Sequence, residues 1–455
     1  MIACVYHSNK SIVRFPIRNL LRSIIWLAFV VIGFCQFSAS HASLASSGTK
    51  STHADTSRVE PSTHGEIEVT RRIVAADFQW PDAIDVADLN GDGKLDFVTG
   101  GGHPGTIYTV RIFFQQESIH DWREQVIFEG HGRIQGAAVF IDPRTKRPII
   151  FSADQLNGQI RLHVSPERRW TAATSAPVVS GRPWIQSLVA LDLDRDGVNE
   201  LVYAWEGVGA KSGGVNALRL IKGADPALPA SWQDVSLTQL EGAWALRDPV
   251  LRDYDRDGKA NELLVGARRA LNGTRNPAAK PGLYYLKVTS LDTEAQLTKV
   301  GEAGLDPINF VRGSFFGRGS QDDVAMVDLQ SDVLTFMETG SGRARFELKL
   351  PRPPEPNLDS ILVGWNVTTI PRKSRTQKRD ALIVVAARST GNPSQVFGLY
   401  WDGASYRFQL FETWPYGHPV DNRLIWVDLD RDGILDLIAP DSGGNQVLIY
   451  NFRLK

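Results

Sequence analysis

The stretch Asp88-Leu-Asn-Gly-Asp-Gly-Lys-Leu-Asp96 decides the fold, because closely related stretches return later in the chain. Two of them are Asp192-Leu-Asp-Arg-Asp-Gly-Val-Asn-Glu200 and Asp428-Leu-Asp-Arg-Asp-Gly-Ile-Leu-Asp436. A fourth, Asp253-Tyr-Asp-Arg-Asp-Gly-Lys-Ala-Asn-Glu262, has one extra residue before its final acid. Short apolar segments flank these stretches, as expected of loops that join two β-strands.

The same strand-loop-strand pattern occurs without the acids in loops that begin near residues 142, 315 and 372. Together the seven loops recur about every 57 residues, which is room for four short strands. The period predicts an all-β fold, a seven-bladed β-propeller with about four antiparallel strands per blade. The last unit lacks an outer strand, and residues 66–74 have the pattern of one. We therefore predict that this N-terminal strand closes the ring.

In its acidic loops the chain resembles the FG-GAP and VCBS repeat proteins, whose propellers include the head of the integrin α-subunit. The resemblance covers roughly residues 66 to 455, and four of the seven repeats carry the acidic signature. It implies a calcium-binding propeller. Because this superfamily contains both adhesion modules and enzymes, the fold alone does not decide the function.

The spacing of the acidic loops suits calcium. Alternate residues of a tight turn direct oxygens to one centre, the glycine permits the turn, and the seventh residue offers its carbonyl. An EF-hand is excluded because position twelve is never Glu. We predict three Ca²⁺ sites and leave a fourth, in the irregular loop, open; a metal-free Asp/Gly-rich turn is the alternative. The ligands would be Asp88, Asn90, Asp92, Lys94 and Asp96; Asp192, Asp194, Asp196, Val198 and Glu200; Asp253, Asp255, Asp257, Lys259 and Glu262; and Asp428, Asp430, Asp432, Ile434 and Asp436.

The resemblance implies that ligands bind at the opposite face, at the loops that lead into each inner strand. Tryptophans with charged and amide residues suit sugar binding there, unless they only pack blade against blade. Three histidines from neighbouring blades are a candidate metal or acid–base site, unless they are unrelated surface residues. The candidate ligand-binding residues are Trp80, Asp82, His103, His131, Trp184, Trp244, His418 and Asp421.

The N-terminal residues have the pattern of a targeting segment. Cations up to Arg22, an apolar run from Ile24 to Phe37 and small residues up to Ala42 predict a signal peptide over residues 1–42. We expect a flexible Ser/Thr-rich leader over 43–65 and the propeller over 66–455. The predicted location is secreted, extracellular or periplasmic, with no stable membrane span after cleavage.

Composition narrows the function. With 50 Lys+Arg against 51 Asp+Glu the chain is not polybasic, so we expect no nucleic-acid partner. The two cysteines, Cys4 and Cys35, exclude a disulfide framework for the rest of the chain. We predict a monomeric binding or adhesion module for carbohydrate or a cell-surface protein. A carbohydrate-active lyase or dehydratase, with its site at the top of the central funnel, is the alternative.

Overall fold

The computed structural model contains seven antiparallel sheets of four strands each, which confirms the all-β, seven-bladed prediction. The structure describes residues 67–102, 106–206, 212–241, 243–246, 250–255, 257–268, 281–300, 307–317, 323–328, 333–338, 343–349, 363–370, 379–387, 394–414 and 424–454.

The first strand of the chain, β1 (Ile67–Ala75), belongs to the last blade. Blade one consists of β2 (Pro81–Ala87), β3 (Asp96–Gly101), β4 (Ile107–Gln115) and β5 (Trp122–His131). Blade two consists of β6 (Ile134–Ile141), β7 (Pro148–Asp154), β8 (Gln159–Val164) and β9 (Thr174–Val179). Blade three consists of β10 (Ile185–Leu191), β11 (Glu200–Trp205), β12 (Ser212–Leu220) and β13 (Trp232–Glu241).

Blade four consists of β14 (Ala243–Ala245), β15 (Glu262–Arg268), β16 (Gly282–Lys287) and β17 (Gln296–Val300). Blade five consists of β18 (Pro307–Gly313), β19 (Asp323–Asp328), β20 (Val333–Glu338) and β21 (Arg343–Lys349). Blade six consists of β22 (Val363–Ile370), β23 (Ala381–Ala387), β24 (Ser394–Trp401) and β25 (Tyr406–Trp414). Blade seven consists of β26 (Ile425–Val427), β27 (Asp436–Asp441), β28 (Gln446–Leu454) and β1. Single 3₁₀ turns at Pro166–Arg168, Trp170–Ala172 and Pro229–Ser231 are the helical elements of the described residues.

The N-terminal strand closes the ring, as the sequence predicted. β1 pairs antiparallel with β28, from Ile67 opposite Leu454 to Ala75 opposite Val447. The buried side chain of Val69 joins the apolar cluster between blades six and seven. The closing strand therefore covers the edge of β28, which would otherwise be free to pair with another chain.

Among the described residues the apolar core forms seven clusters, and each cluster lies between two successive blades. Between blades seven and one, for example, Phe97 and Phe113 pack with Ile438 and Ile449. Burying one such side chain stabilises the fold by about 1.5–3 kcal/mol. The blades thus stabilise one another around the ring.

No helix among the described residues is long and apolar enough to cross a membrane. The predicted signal peptide and leader lie outside the described residues, so those two predictions stay predictions.

Candidate functional site

The four acidic loops each join the first and second strands of a blade and share the conformation of one glycine. The sixth residue of each loop lies in the left-handed region, where glycine is favoured because a Cβ adds strain. Its amide donates to Oδ2 of the loop's first aspartate, at 2.9–3.1 Å. The glycines and their φ angles are Gly93 (84°), Gly197 (87°), Gly258 (86°) and Gly433 (84°). The repeat in sequence is therefore a repeat in geometry.

The last acid of each loop is buried and caps the turn. One of its carboxylate oxygens accepts a hydrogen bond from the amide of the loop's second residue, at 2.7–3.2 Å. Burial is the main reason that the pKa of Asp96 is raised to about 6 and the pKa of Glu200 to about 7, and the other acids of the Glu200 loop contribute to the latter rise. A cation between these carboxylates would favour their charged forms.

Three loops contain a buried carboxylate oxygen that accepts no hydrogen bond from the described residues. In each case the atom is Oδ1 of the first aspartate: Asp192, Asp253 and Asp428. Two further acids offer oxygens within 4.8 Å in each loop. Because a buried charged oxygen without a donor is costly, and because calcium prefers oxygen ligands, these loops fit calcium chemically.

The first acidic loop, Asp88 to Asp96, has more hydrogen bonds among its own residues than the other three. Its Asp88 accepts the amide of Gly91 at 2.6 Å, and Asn90 Nδ2 donates to Asp92 Oδ2 at 3.1 Å. The side chain of Asn90 replaces one acid of the other loops, so this loop has less charge repulsion to relieve.

The fourth acidic loop, Asp253 to Glu262 in blade four, differs from the other three because a lysine lies against it. Lys287 Nζ donates hydrogen bonds to Asp255 Oδ2 and to Asp257 Oδ2, the latter at 2.5 Å. It also lies 3.6 Å from Glu262 Oε1. These bonds, first of all the one to Asp255, raise the pKa of Lys287, so the side chain is an ammonium ion at neutral pH.

Two loops that lack the acidic signature each use one aspartate to hold their turn. In blade two, Asp142 accepts the amide of Arg144 at 3.0 Å and the hydroxyl of Thr145 at 2.5 Å. The side chains of Arg144, Lys146 and Arg147 are exposed. In blade five, Asp323 accepts the amide of Phe315 at 2.8 Å, as the last acid does in the acidic loops. Sequence analysis missed this retained acid because its partners in the signature are absent.

At the opposite end of the inner strands, a β-bulge recurs. A bulge inserts one residue and re-aims its side chain. At three of the five bulges the sequence signal is a polar residue two positions after a tryptophan or arginine, as in Trp80-Pro-Asp82 and Arg133-Ile-Gln135. The bulged residues are Asp82, Gln135, Gln186, Ile308 and Trp365.

Three of these bulges build a polar cluster across blades one to three, which we call the binding face together with Trp80, Arg133 and Trp184. Arg133 Nε donates to the fully buried Asp82 at 2.6 Å. The hydrogen-bond partners of Gln135 assign its amide orientation. In that orientation the Gln135 oxygen accepts a hydrogen bond from Arg133 Nη2 at 3.0 Å, and the Gln135 nitrogen donates one to Gln186 at 3.3 Å. The guanidinium also lies 5.3 Å from the centre of the Trp80 ring, within cation–π range.

Trp80 and Trp184 hold equivalent, strained positions on the binding face. Both are non-glycine residues with positive φ, 45° and 56°. The amide of Trp80 donates to Asn445 of blade seven at 3.1 Å, and the amide of Trp184 donates to the carbonyl of Gln155 in blade two at 3.0 Å. Neighbouring blades thus fix two half-exposed indoles, and such strain concentrates at functional sites.

Of the remaining predicted ligand-binding residues, the structure describes the side chains of Asp82, which belongs to this cluster, and of His131. His131 is exposed, and its carbonyl accepts a hydrogen bond from Asn157. Asp82 pairs with Arg133, which sequence analysis did not include. His103, His418, Asp421 and the side chain of Trp244 lie outside the described residues. The predicted histidine site therefore stays a prediction.

The fold defines the chain as a β-propeller. No protein-family model matches the chain, and no curated protein matches it. The resemblance to FG-GAP and VCBS repeats therefore stays a prediction.

Solved structures match the chain in fold. A structure of BBS1N in complex with ARL6DN has a TM-score of 0.47 and 15% identity, covering 85% of this chain and 97% of that one. A Dos1 propeller has a TM-score of 0.48 and 11% identity, with 82% and 77% covered. Sqt1 from Chaetomium thermophilum, bound to the N-terminus of ribosomal protein L10, has a TM-score of 0.45 and 11% identity, with 83% and 99% covered.

These matches correct one prediction. The secreted, extracellular or periplasmic location is contradicted: among the matched propellers is one bound to the N-terminus of a ribosomal protein. We withdraw that prediction.

Proposed function

We propose that this protein is a calcium-stabilised β-propeller that acts as a binding module. The calcium proposal rests on two buried atoms, Oδ1 of Asp192 and Oδ1 of Asp428. Neither accepts a hydrogen bond from the described residues. One oxygen of each of these aspartates lies within 4.8 Å of an oxygen from each of two other acids of its loop. Calcium would supply the missing partner and offset the repulsion, and its role would be to stabilise the loops.

The experiment is thermal unfolding of the full chain with calcium and with excess chelator. We expect a higher melting temperature with calcium, because an ion that binds only the folded chain stabilises it by mass action. Magnesium at equal ionic strength should stabilise less, since it demands stricter octahedral geometry. Equal melting temperatures in calcium and chelator would contradict the calcium proposal.

For the ligand we propose a carbohydrate at the binding face. Trp80 and Trp184 offer apolar ring surface for stacking on a sugar ring. The partly exposed guanidinium of Arg133 can donate to a sugar hydroxyl, while the buried Asp82 and Gln135 hold it in place. The neighbouring-blade contacts hold these groups in place before a ligand arrives, which lowers the entropic cost of binding.

A glycan array probed with the calcium-loaded protein tests this proposal. Trp80→Asn and Trp184→Asn should each abolish the strongest signals, because asparagine tolerates positive φ but removes the stacking surface. Arg195→Asn is the matched control: Arg195 also has positive φ, 63°, but lies in an acidic loop at the other face. No glycan bound by the unmodified protein, or equal loss in the control, would contradict a carbohydrate ligand.

A further inference from the structure

In each of the four blades with an acidic loop, one residue of the third strand lies opposite the last acid of that loop. In blade four this residue is Lys287. It lies in β16 directly opposite Glu262, the last acid of the fourth acidic loop. From there its ammonium bonds Asp255 and Asp257 and lies 3.6 Å from Glu262 Oε1. One cation of the chain itself therefore faces three of the four acids of that loop.

At the equivalent positions of the other acidic blades, no cation among the described residues forms an ion pair with the acids of its loop, although the charge of Arg219 partly offsets the rise that burial causes in the pKa of Asp194. In blade three, the register that pairs Leu201 with Leu218 puts Arg219 opposite Glu200. Arg219 turns away to Asp292 Oδ1 at 2.9 Å and Gln233 Oε1 at 3.0 Å. In blade seven this position is the neutral Asn451, and in blade one the register places Phe114 there.

A calcium ion needs six to eight oxygens at about 2.3–2.6 Å, drawn from the same carboxylates. An ammonium ion that bonds two of these carboxylates occupies the space in which they converge. Calcium would have to displace it and would then face a like charge nearby, which costs free energy. The two cations are therefore mutually exclusive in this loop.

We infer that Lys287 is the resident cation of the fourth acidic loop and closes it to calcium, so that the chain binds calcium at the other three acidic loops. This rests on the proposed calcium function. The lysine does not reach Asp253, whose buried Oδ1 accepts no hydrogen bond from the described residues. Removing the ammonium should therefore leave four converging acids and open a fourth calcium site.

The test is the number of calcium ions bound per full-length chain, measured by equilibrium dialysis. We expect three for the unmodified protein and four for Lys287→Met, which keeps most of the apolar stem and removes the charge. Arg219→Met is the matched control: it removes a cation at the same register position, and its count should stay at three.

A second pair of variants makes the test independent of how Lys287→Met folds. Asp255 and Asp194 hold the third position of their loops. Asp194→Asn should weaken or remove one of the three sites, whereas Asp255→Asn should leave the count at three.

The outcomes separate the two proposals. Four ions in the unmodified protein, or an unchanged count in a folded Lys287→Met, would overturn the role of Lys287 and leave the calcium proposal intact. A lower count in Asp255→Asn would also overturn it. No calcium bound by the unmodified protein would instead overturn the calcium proposal, and the inference with it.

Discussion

His163 is a fully buried histidine in blade two, and its ring lies between two hydroxyl groups. Its Nε2 is 2.8 Å from Ser152 Oγ, and its Nδ1 is 2.6 Å from Ser175 Oγ. Burial, with a smaller effect from Arg161, lowers the pKa of His163 to about 3. The unfolded chain binds this proton near pH 6.5, so the stability that the neutral ring gives is present above that pH and is lost as pH falls towards 3.

We therefore expect acid to destabilise the unmodified protein more steeply than His163→Gln. The difference in the free energy of unfolding should change by about 1.4 kcal/mol per pH unit between pH 6 and pH 4. Urea unfolding at several pH values measures it. His131→Gln, at an exposed histidine, should follow the unmodified protein. Equal slopes for all three proteins would show that His163 is protonated in the fold.

Asp192 and Asp142 are aspartates at equivalent positions of their loops with different expected roles. Asp192→Ala should remove most of the stabilisation that calcium gives at its loop. Asp142→Ala should lose about 1–3 kcal/mol, because the amide of Arg144 and the hydroxyl of Thr145 lose their acceptor. That loss should be equal with calcium and with chelator. Melting curves of both variants, with calcium and with chelator, test these expectations. A calcium-dependent loss in Asp142→Ala would contradict the metal-independent role of Asp142.

At the scale of elements, β1 is the strand whose removal has the clearest expected effect. Deleting residues 67–75 should expose the edge of β28 and the apolar cluster that Val69 completes, so the protein should aggregate. Deleting residues 43–60 should change little. Light scattering with size-exclusion chromatography distinguishes the two deletions. A monomeric 67–75 deletion with an unchanged melting temperature would contradict a closing role for β1.

The strands and acidic loops could be predicted because their signals are local. A nine-residue loop with a glycine at its sixth position specifies its own turn, and its recurrence gives the number of blades. The role of Lys287 could not be predicted, because the partner strand's register brings it to Asp255 from 32 residues away. The pair Asp82 and Arg133 was missed for the same reason, since it joins two blades and depends on a bulge in each inner strand.

At the scale of the whole molecule, apolar clusters join the blades into a ring. We predict that removing calcium loosens this ring more in some blades than in others. Amide hydrogen exchange should become faster in β3 and β11, next to acidic loops, when chelator is added. Exchange in β7 of blade two should stay unchanged, because Asp142 already holds its loop without metal. Such local openings lie below the free energy of global unfolding. Uniformly faster exchange in all blades would instead indicate that the metal acts on the ring as one unit.

The antiparallel pairing of β1 with β28 also has a mechanical consequence. Since Ile67 lies opposite Leu454, both ends of the propeller leave it at the same end of this strand pair. A pulling force applied to the two ends would load the ladder's hydrogen bonds one after another, as in unzipping, rather than sharing the load among all of them. The pair that protects the ring against aggregation is therefore its point of least resistance to tension, and a stretched molecule would open there while the other six sheets stay folded.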